Sequence, residues 1–275
     1  MPRLDPEQQQ ALAARVNYFR DLGIFDFYRR GDAVISSEDV PQVPENVSSQ
    51  VTNPDESVPR KQSIVPVDDL LSVEPSNVAP AERPAALRAI QQDIGDCTRC
   101  PLAFAGRHTI VFGEGDPNAR LMFVGEGPGA DEDAQGRPFV GRAGQLLNNM
   151  IVAMGLQREE VYIANIVKCR PPQNRTPEPV EANTCLQFLF RQINVIRPEI
   201  LVALGATAAT YLLGGKAPLS ALRGRVHEAR GSKLIVTYHP AYLLRDPRQK
   251  KEAWADLQIA MAELGLKAPK RPPNE

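Results

Sequence analysis

A chain of 275 residues with 43% apolar and 6% aromatic side chains can bury a sizeable core, which excludes a wholly disordered protein. No run approaches the roughly 18 apolar residues of a membrane span, and the opening MPRLDPEQQQ lacks the basic and apolar regions of a secretory leader, so a cytoplasmic protein is expected. The net charge of −1 hides an asymmetry: residues 1–85 carry 8 Lys and Arg against 14 Asp and Glu, and residues 86–275 carry 24 against 19, a modestly basic balance that suits a polyanionic partner without requiring one.

In residues 6–22, PEQQQALAARVNYFRDL, the side chains of Leu12, Val16, Phe19 and Leu22 fall at helical spacing and Gly23 follows as a C-cap. Residues 1–30 are therefore read as a short amphipathic helix. Residues 31–80 are rich in Pro, Ser and acidic side chains without a sustained period, the composition of a flexible linker. Such a tether lets the helix either pack on the domain or dock on a protein partner, and both readings stand. A domain is expected from 81 to 266, followed by a tail at 267–275.

Within that domain the pattern predicts helices at 82–95, 142–154, 178–195, 206–213 and 247–264. Strands are expected at 108–112, 119–124 (ARLMFV), 161–166 (VYIANI), 200–204 (ILVAL) and 233–237 (KLIVT). Apolar strands separated by helices imply an α/β fold with a mostly parallel central sheet covered on both faces. Ligands of such sheets gather at the carboxyl ends of the strands. Four segments fall there: GEGPG, NIVKCRPP, GATAAT and YHPAYLL. No long apolar surface pattern is evident, so a monomer is expected.

The four cysteines, Cys97, Cys100, Cys169 and Cys185, are spaced C-x2-C, a gap of 68 residues, then C-x15-C. Disulfides are improbable in a reducing compartment. Prolines after Cys100 and Cys169 point to fixed ligand geometry. Structural zinc commonly closes with a second short pair, whereas a four-thiolate iron–sulfur cluster tolerates scattered ligands. By spacing alone a cluster, a zinc site and free thiols all stay open.

The loop Gly125-Glu126-Gly127-Pro128-Gly129 fails the G-x-G-x-x-G spacing by one residue and lacks the Lys-Ser/Thr of a phosphate loop. Asp131, Glu132 and Asp133 then place carboxylates where phosphate would be repelled. Glycines here permit close approach to a flat ligand, and Phe139 supplies an aromatic face. Carboxylates beside such a ligand suit chemistry that develops positive charge or needs a positioned water. A solvated acidic loop beside a core Phe139 is the plainer alternative.

Taken together, C-x2-C, GEGPGADEDAQGRPFVGRAGQLL, REEVYIANIVKCRPPQNRTPEP, Cys185 and YHPAYLLR resemble the family 4, iron–sulfur, uracil-DNA glycosylases over residues 88–262. The resemblance implies a three-layer α/β/α sandwich and a [4Fe-4S] cluster on Cys97, Cys100, Cys169 and Cys185. It also implies excision of uracil from single- or double-stranded DNA in base excision repair, leaving an abasic site. Each motif then acquires a task around a nucleotide rotated out of the stack. Phe139 stacks on the base, the Gly125–Gly127 backbone lines its edge, and the Asn165 amide reads its Watson–Crick edge. His239 hydrogen-bonds the carbonyl oxygen beside the scissile bond, in a protonation state that the sequence leaves open. Glu126 orients the water and stabilises the sugar cation, with Asp131 in reserve. Glu132 crowds the C5 edge against thymine's methyl group. Leu243 or Leu244 is the wedge, and Asn174, Arg175 and Arg245 contact phosphates. No His occurs in CRPPQNRTP, where related enzymes that trap DNA covalently carry one, so simple hydrolysis is expected. A non-enzymatic DNA-binding or polymerase-associated module and a nucleotide phosphohydrolase are the rival readings.

Overall fold

A computed structural model describes residues 78–267; the expected N-terminal helix, nearly all of the linker and residues 268–275 lie outside them. The helices are α1 (Arg83–Ile94), α2 (Ala130–Gln135), α3 (Arg142–Ala153), α4 (Pro179–Ile196), α5 (Ala206–Leu213), α6 (Leu219–Leu222), α7 (Pro240–Arg245) and α8 (Lys250–Leu264). The strands are β1 (Glu114–Gly115), β2 (Leu121–Gly125), β3 (Tyr162–Asn165), β4 (Ile200–Leu204), β5 (Val226–Ala229) and β6 (Ser232–Thr237).

LMFVG, YIAN and ILVAL are buried at every position, so the sheet they form needs a layer on each face. Its order is β1-β3-β2-β4-β6-β5. The inner pairs β3–β2, β2–β4 and β4–β6 are parallel, and β1 and β5 close the edges antiparallel. Alternation sorts the side chains. Met122, Val124, Leu201 and Val236 face a cluster with Leu87, Ile90, Phe188, Leu189 and Leu212 from α1, α4 and α5. Leu121, Phe123, Val202 and Ile235 face Leu147, Ile151, Leu257 and Met261 from α3 and α8. The result is the expected three-layer α/β/α sandwich, each such buried side chain contributing about 1.5–3 kcal/mol.

The expected strand at 108–112 does not form. Val111 donates one backbone bond to Lys168 O at 2.8 Å, beyond the end of β3, and only Glu114–Gly115 joins the sheet. The β5–β6 hairpin was not expected, because VHEA is a half-exposed edge without an apolar run. Its turn uses Arg230 (φ 54) and Gly231 (φ 76), the paired positive φ values of a two-residue hairpin loop.

From central β2 the chain steps to β3 on one side and then returns across to β4 on the other. That reversal opens a crevice at the carboxyl ends. Backbone pairing continues into it: Ile166 N–H donates to Gly125 O at 3.0 Å, Val167 N–H to Glu126 O at 3.1 Å, and Gly205 N–H to Thr237 O at 2.9 Å. The loops that leave the sheet are thus anchored at their roots.

Candidate active site

Gly125 ends β2 between an aromatic ring and an amide. A Cβ there would stand 2.4 Å from Asn165 Oδ1 and 2.6 Å from the Phe139 ring, so close approach requires the glycine. Asn165, at the end of β3, is 2% exposed, and its Oδ1 has no hydrogen-bond partner. An unpaired buried acceptor costs about 1–3 kcal/mol, which marks this oxygen as one that a ligand donor completes. Gly127 packs instead on the exit of β3, where a Cβ would lie 2.7 Å from the Val167 side chain.

The Phe139 backbone adopts φ 51, a left-handed conformation that costs a bulky residue about 1–3 kcal/mol. Gly144 of α3 packs directly on it, since a Cβ there would fall 1.9 Å from the Phe139 carbonyl oxygen. The Phe139 and His239 rings lie 5.6 Å apart, tilted by 33°. His239 caps α7, its Nδ1 accepting from the Ala241 N–H at 3.1 Å. Burial above all, with the Arg245 charge second, pushes its pKa down to about 4, while Glu132 opposes them. Burial thus favours the neutral imidazole at pH 7, and with Nδ1 accepting, the ring proton falls on Nε2.

Glu126 is half-buried beyond β2, and its Oε2 accepts from Thr207 Oγ1 in the first turn of α5 at 2.5 Å. Glu126, Phe139, Thr207 and His239 line a cavity of about 650 Å³, with Asp131, Arg142, Asn174 and Arg245 also on its wall. Asn165 is not among the lining residues; it meets the same glycine as the Phe139 ring. Asp131 is exposed, its Oδ2 against the bare face of Gly141.

Several of the expected site residues are engaged within the fold. The Glu132 carboxylate accepts from the backbone N–H of Gly129 (3.0 Å), Val140 (2.9 Å) and Gly141 (3.1 Å), so it clamps the Phe139 loop to α2 and is not free to screen a C5 edge. Arg175 is committed bidentately to the buried Glu181 at 2.8 and 2.7 Å, which makes it a latch at the start of α4 rather than an open phosphate contact. Leu243 is 1% exposed and lines an apolar hollow with Leu146, Trp254 and Leu257; of the two candidate wedges only Leu244 retains partial exposure. The Gly127 backbone, as above, does not line the cavity. Asn174 stays at the wall, its Oδ1 accepting from Arg170 Nε at 2.7 Å, and Arg245 is exposed there.

Three residues were not singled out from sequence. Thr207 lies within the flagged GATAAT segment, and Arg142 opens α3 within GRAGQ. Lys168 is the third. It is 1% exposed, a charge inside the apolar run VYIANIVKC, and that anomaly was its available signal. Its Nζ donates to the Asn165 carbonyl at 3.1 Å and to Gln192 Oε1 at 2.6 Å, while its backbone N–H donates to Cys185 Sγ at 3.3 Å. Burial pushes its pKa down to about 8. Gln192 Nε2 in turn donates to Phe112 O and to the Tyr162 hydroxyl at 3.0 and 3.2 Å.

Cys97, Cys100, Cys169 and Cys185 together line one small hollow with Ile94, Ile110 and Phe188. All four are free thiols. Burial pushes Cys185 up to about 12 and raises Cys100 and Cys169 as well. Arg107 Nη1 donates to Cys169 Sγ at 3.3 Å, adding to the Lys168 bond on Cys185. Sulfurs gathered around an apolar hollow and supplied with N–H donors fit a thiolate-bound metal centre.

The family model described as Uracil DNA glycosylase superfamily matches residues 112–258. Over 166 residues the chain is 48% identical to a type-4 uracil-DNA glycosylase of Thermotoga maritima, covering 60% of this chain and 86% of that one. The chain belongs to the type-4 uracil-DNA glycosylase family. Type-4 enzymes of Archaeoglobus fulgidus (40% identity; 67% of this chain, 96% of that one) and Pyrobaculum aerophilum (42%; 63% and 92%) are also similar. In this type-4 glycosylase the superfamily match contains every loop of the cavity, Cys169 and Cys185, whereas Cys97 and Cys100 precede it.

Proposed function

We propose that the cavity between β2 and β4 is where this glycosylase receives a uracil swung out of DNA. It is a DNA-repair hydrolase that cleaves the N-glycosidic bond and leaves an abasic site. The observation that carries the assignment of residues is the unpaired Asn165 Oδ1 beside the Phe139 ring. The N3–H of uracil is the donor this oxygen lacks, and the amide N–H of the same side chain can donate to O4. Cytosine presents an acceptor at N3 and a donor at C4, which leaves both groups unpaired at a cost of about 1–3 kcal/mol each. Seating the base on Asn165 requires the Phe139 and His239 rings to part, a side-chain movement that leaves the anchored backbone in place.

As the bond breaks, negative charge gathers on the uracil oxygens and positive charge on the sugar. Neutral His239 aims an Nε2–H donor at the oxygen beside the bond, and the Ala241 N–H holds its ring before reaction begins. Thr207 fixes one oxygen of Glu126, leaving the other to accept a hydrogen bond from the attacking water and to face the sugar cation. Arg142, Arg245 and Asn174 contact the flanking phosphates, and Leu244 fills the space the nucleotide leaves.

Cys97, Cys100, Cys169 and Cys185 hold a [4Fe-4S] cluster. Four sulfurs around a shared hollow fit a polynuclear thiolate centre better than a single zinc. A cluster held there would cross-link the 97–100 turn, the Cys169 loop and α4 through their thiolates, and hydrolysis of the glycosidic bond moves no electron.

The decisive assay incubates the protein with single- and double-stranded uracil oligonucleotides, adds alkali, and reads strand scission. Scission at uracil is expected, and intact strands would overturn the reading. The rate should show no inflection at the ordinary histidine value of 6.5 and should fall as pH drops through about 4. The sign follows from the depressed pKa: between about 4 and 6.5 the unfolded chain binds the extra proton, so stability rises with pH across that window. A pH–rate profile with a break at 6.5 that disappears in His239→Gln contradicts the neutral imidazole.

A further inference from the structure

Phe139 occupies a backbone conformation that it would not hold unaided, so something near it must over-determine the loop. Arg158, which follows α3 and precedes β3, reaches across to do this. Its Nη1 donates to the Phe139 carbonyl at 3.1 Å and its Nη2 to the Pro138 carbonyl at 2.5 Å, so the guanidinium fork spans two consecutive peptide units. Nη1 also donates to Asn148 Oδ1 of α3 at 2.7 Å. Nε faces Glu114 of β1 at 3.4 Å, and that carboxylate also receives Arg137 at 2.7 and 2.8 Å, from the same loop two residues before Phe139. The Arg158 side chain is only 13% exposed. A planar fork with five fixed donors can satisfy all of these acceptors at once, and a lysine cannot.

We infer that Arg158 is the positioning residue of the stacking plate: by clamping both carbonyls around the Pro138–Phe139 peptide it sets the plane in which the Phe139 ring meets a flipped base. This rests on the reading of Phe139 as that plate. Arg158 touches neither base nor sugar, and acts on the base alone.

The test compares two ligands in Arg158→Lys, which keeps a cation beside Glu114 and removes the fork, and in Arg158→Met. One ligand is free uracil, read as product inhibition; the other is a duplex carrying an abasic-site analogue, which has no base to stack. Uracil affinity should fall about tenfold, the scale of one aromatic stacking contact, while abasic-site affinity stays at the wild-type value, even though the carbonyls left unpaired lower the melting temperature. A general loosening of the fold moves both affinities together. Parallel loss of both, or loss of neither, in the lysine variant overturns the inference, and that variant decides the matter if the methionine variant does not fold. The wild-type scission assay separates the parent reading: scission with unchanged uracil affinity in Arg158→Lys refutes the clamp and leaves the function standing.

Discussion

Replacing Glu126 by Gln is expected to slow uracil release in single-turnover assays by about a hundred- to ten-thousand-fold, the usual range for a positioned acid or base. The substitution keeps the shape, and the Thr207 hydroxyl can still donate to the new amide oxygen, so the side chain stays where that hydrogen bond now holds it. What disappears is the negative charge facing the sugar cation and the acceptor for the water. Binding of free uracil should be nearly unchanged, because the carboxylate acts on the sugar side of the bond. Asp131→Asn is the comparison. Asp131 is exposed on the same cavity wall, and a large loss there with a small one at Glu126 would transfer the role to it.

Replacing Cys185 by Ser should give colourless protein that has lost iron and acid-labile sulfide, with a melting temperature lowered by about 10 °C or more. Cys185 lies on the sheet-facing side of α4, and its sulfur accepts the Lys168 N–H. Lys168 in turn holds the Asn165 carbonyl. Losing the metal centre therefore loosens the strand end that presents the recognition amide, and DNA binding should suffer more than the bond-breaking step in whatever protein remains folded. Wild-type protein that is colourless and zinc-loaded when prepared without oxygen would refute the cluster assignment.

The elements most visible in the sequence were those whose side chains obey one environment throughout. ILVAL and LMFVG are buried at every position, and α3, α4, α5 and α8 run long enough to show a period. Residues 108–112 end in a similar apolar run, Ile110-Val111-Phe112, yet Val111 pairs with Lys168 beyond the end of β3, which no local pattern encodes. Short α7 shows why the wedge stayed divided between Leu243 and Leu244: six residues complete fewer than two turns, so nothing in AYLLR tells which leucine faces Trp254 and which faces out. The engagement of Arg175 and Glu132 was hidden for a different reason. Their partners are Glu181 and the amides of Val140 and Gly141, and a charged side chain looks equally available in sequence whether or not the fold has already engaged it.

By itself the sequence determined the alternating α/β order, the four cysteines and the residue types needed around a uracil, because composition, spacing and motif order are local or countable. Only the tertiary structure decided that burial depresses the His239 pKa, that the Asn165 oxygen lacks a donor, that Thr207 holds Glu126 on the cavity wall, and that Arg158 and Lys168 support the site from outside it. Burial and hydrogen-bond partnership are properties of the neighbours a residue acquires across the chain, and those neighbours exist only once the sheet has brought its carboxyl ends together.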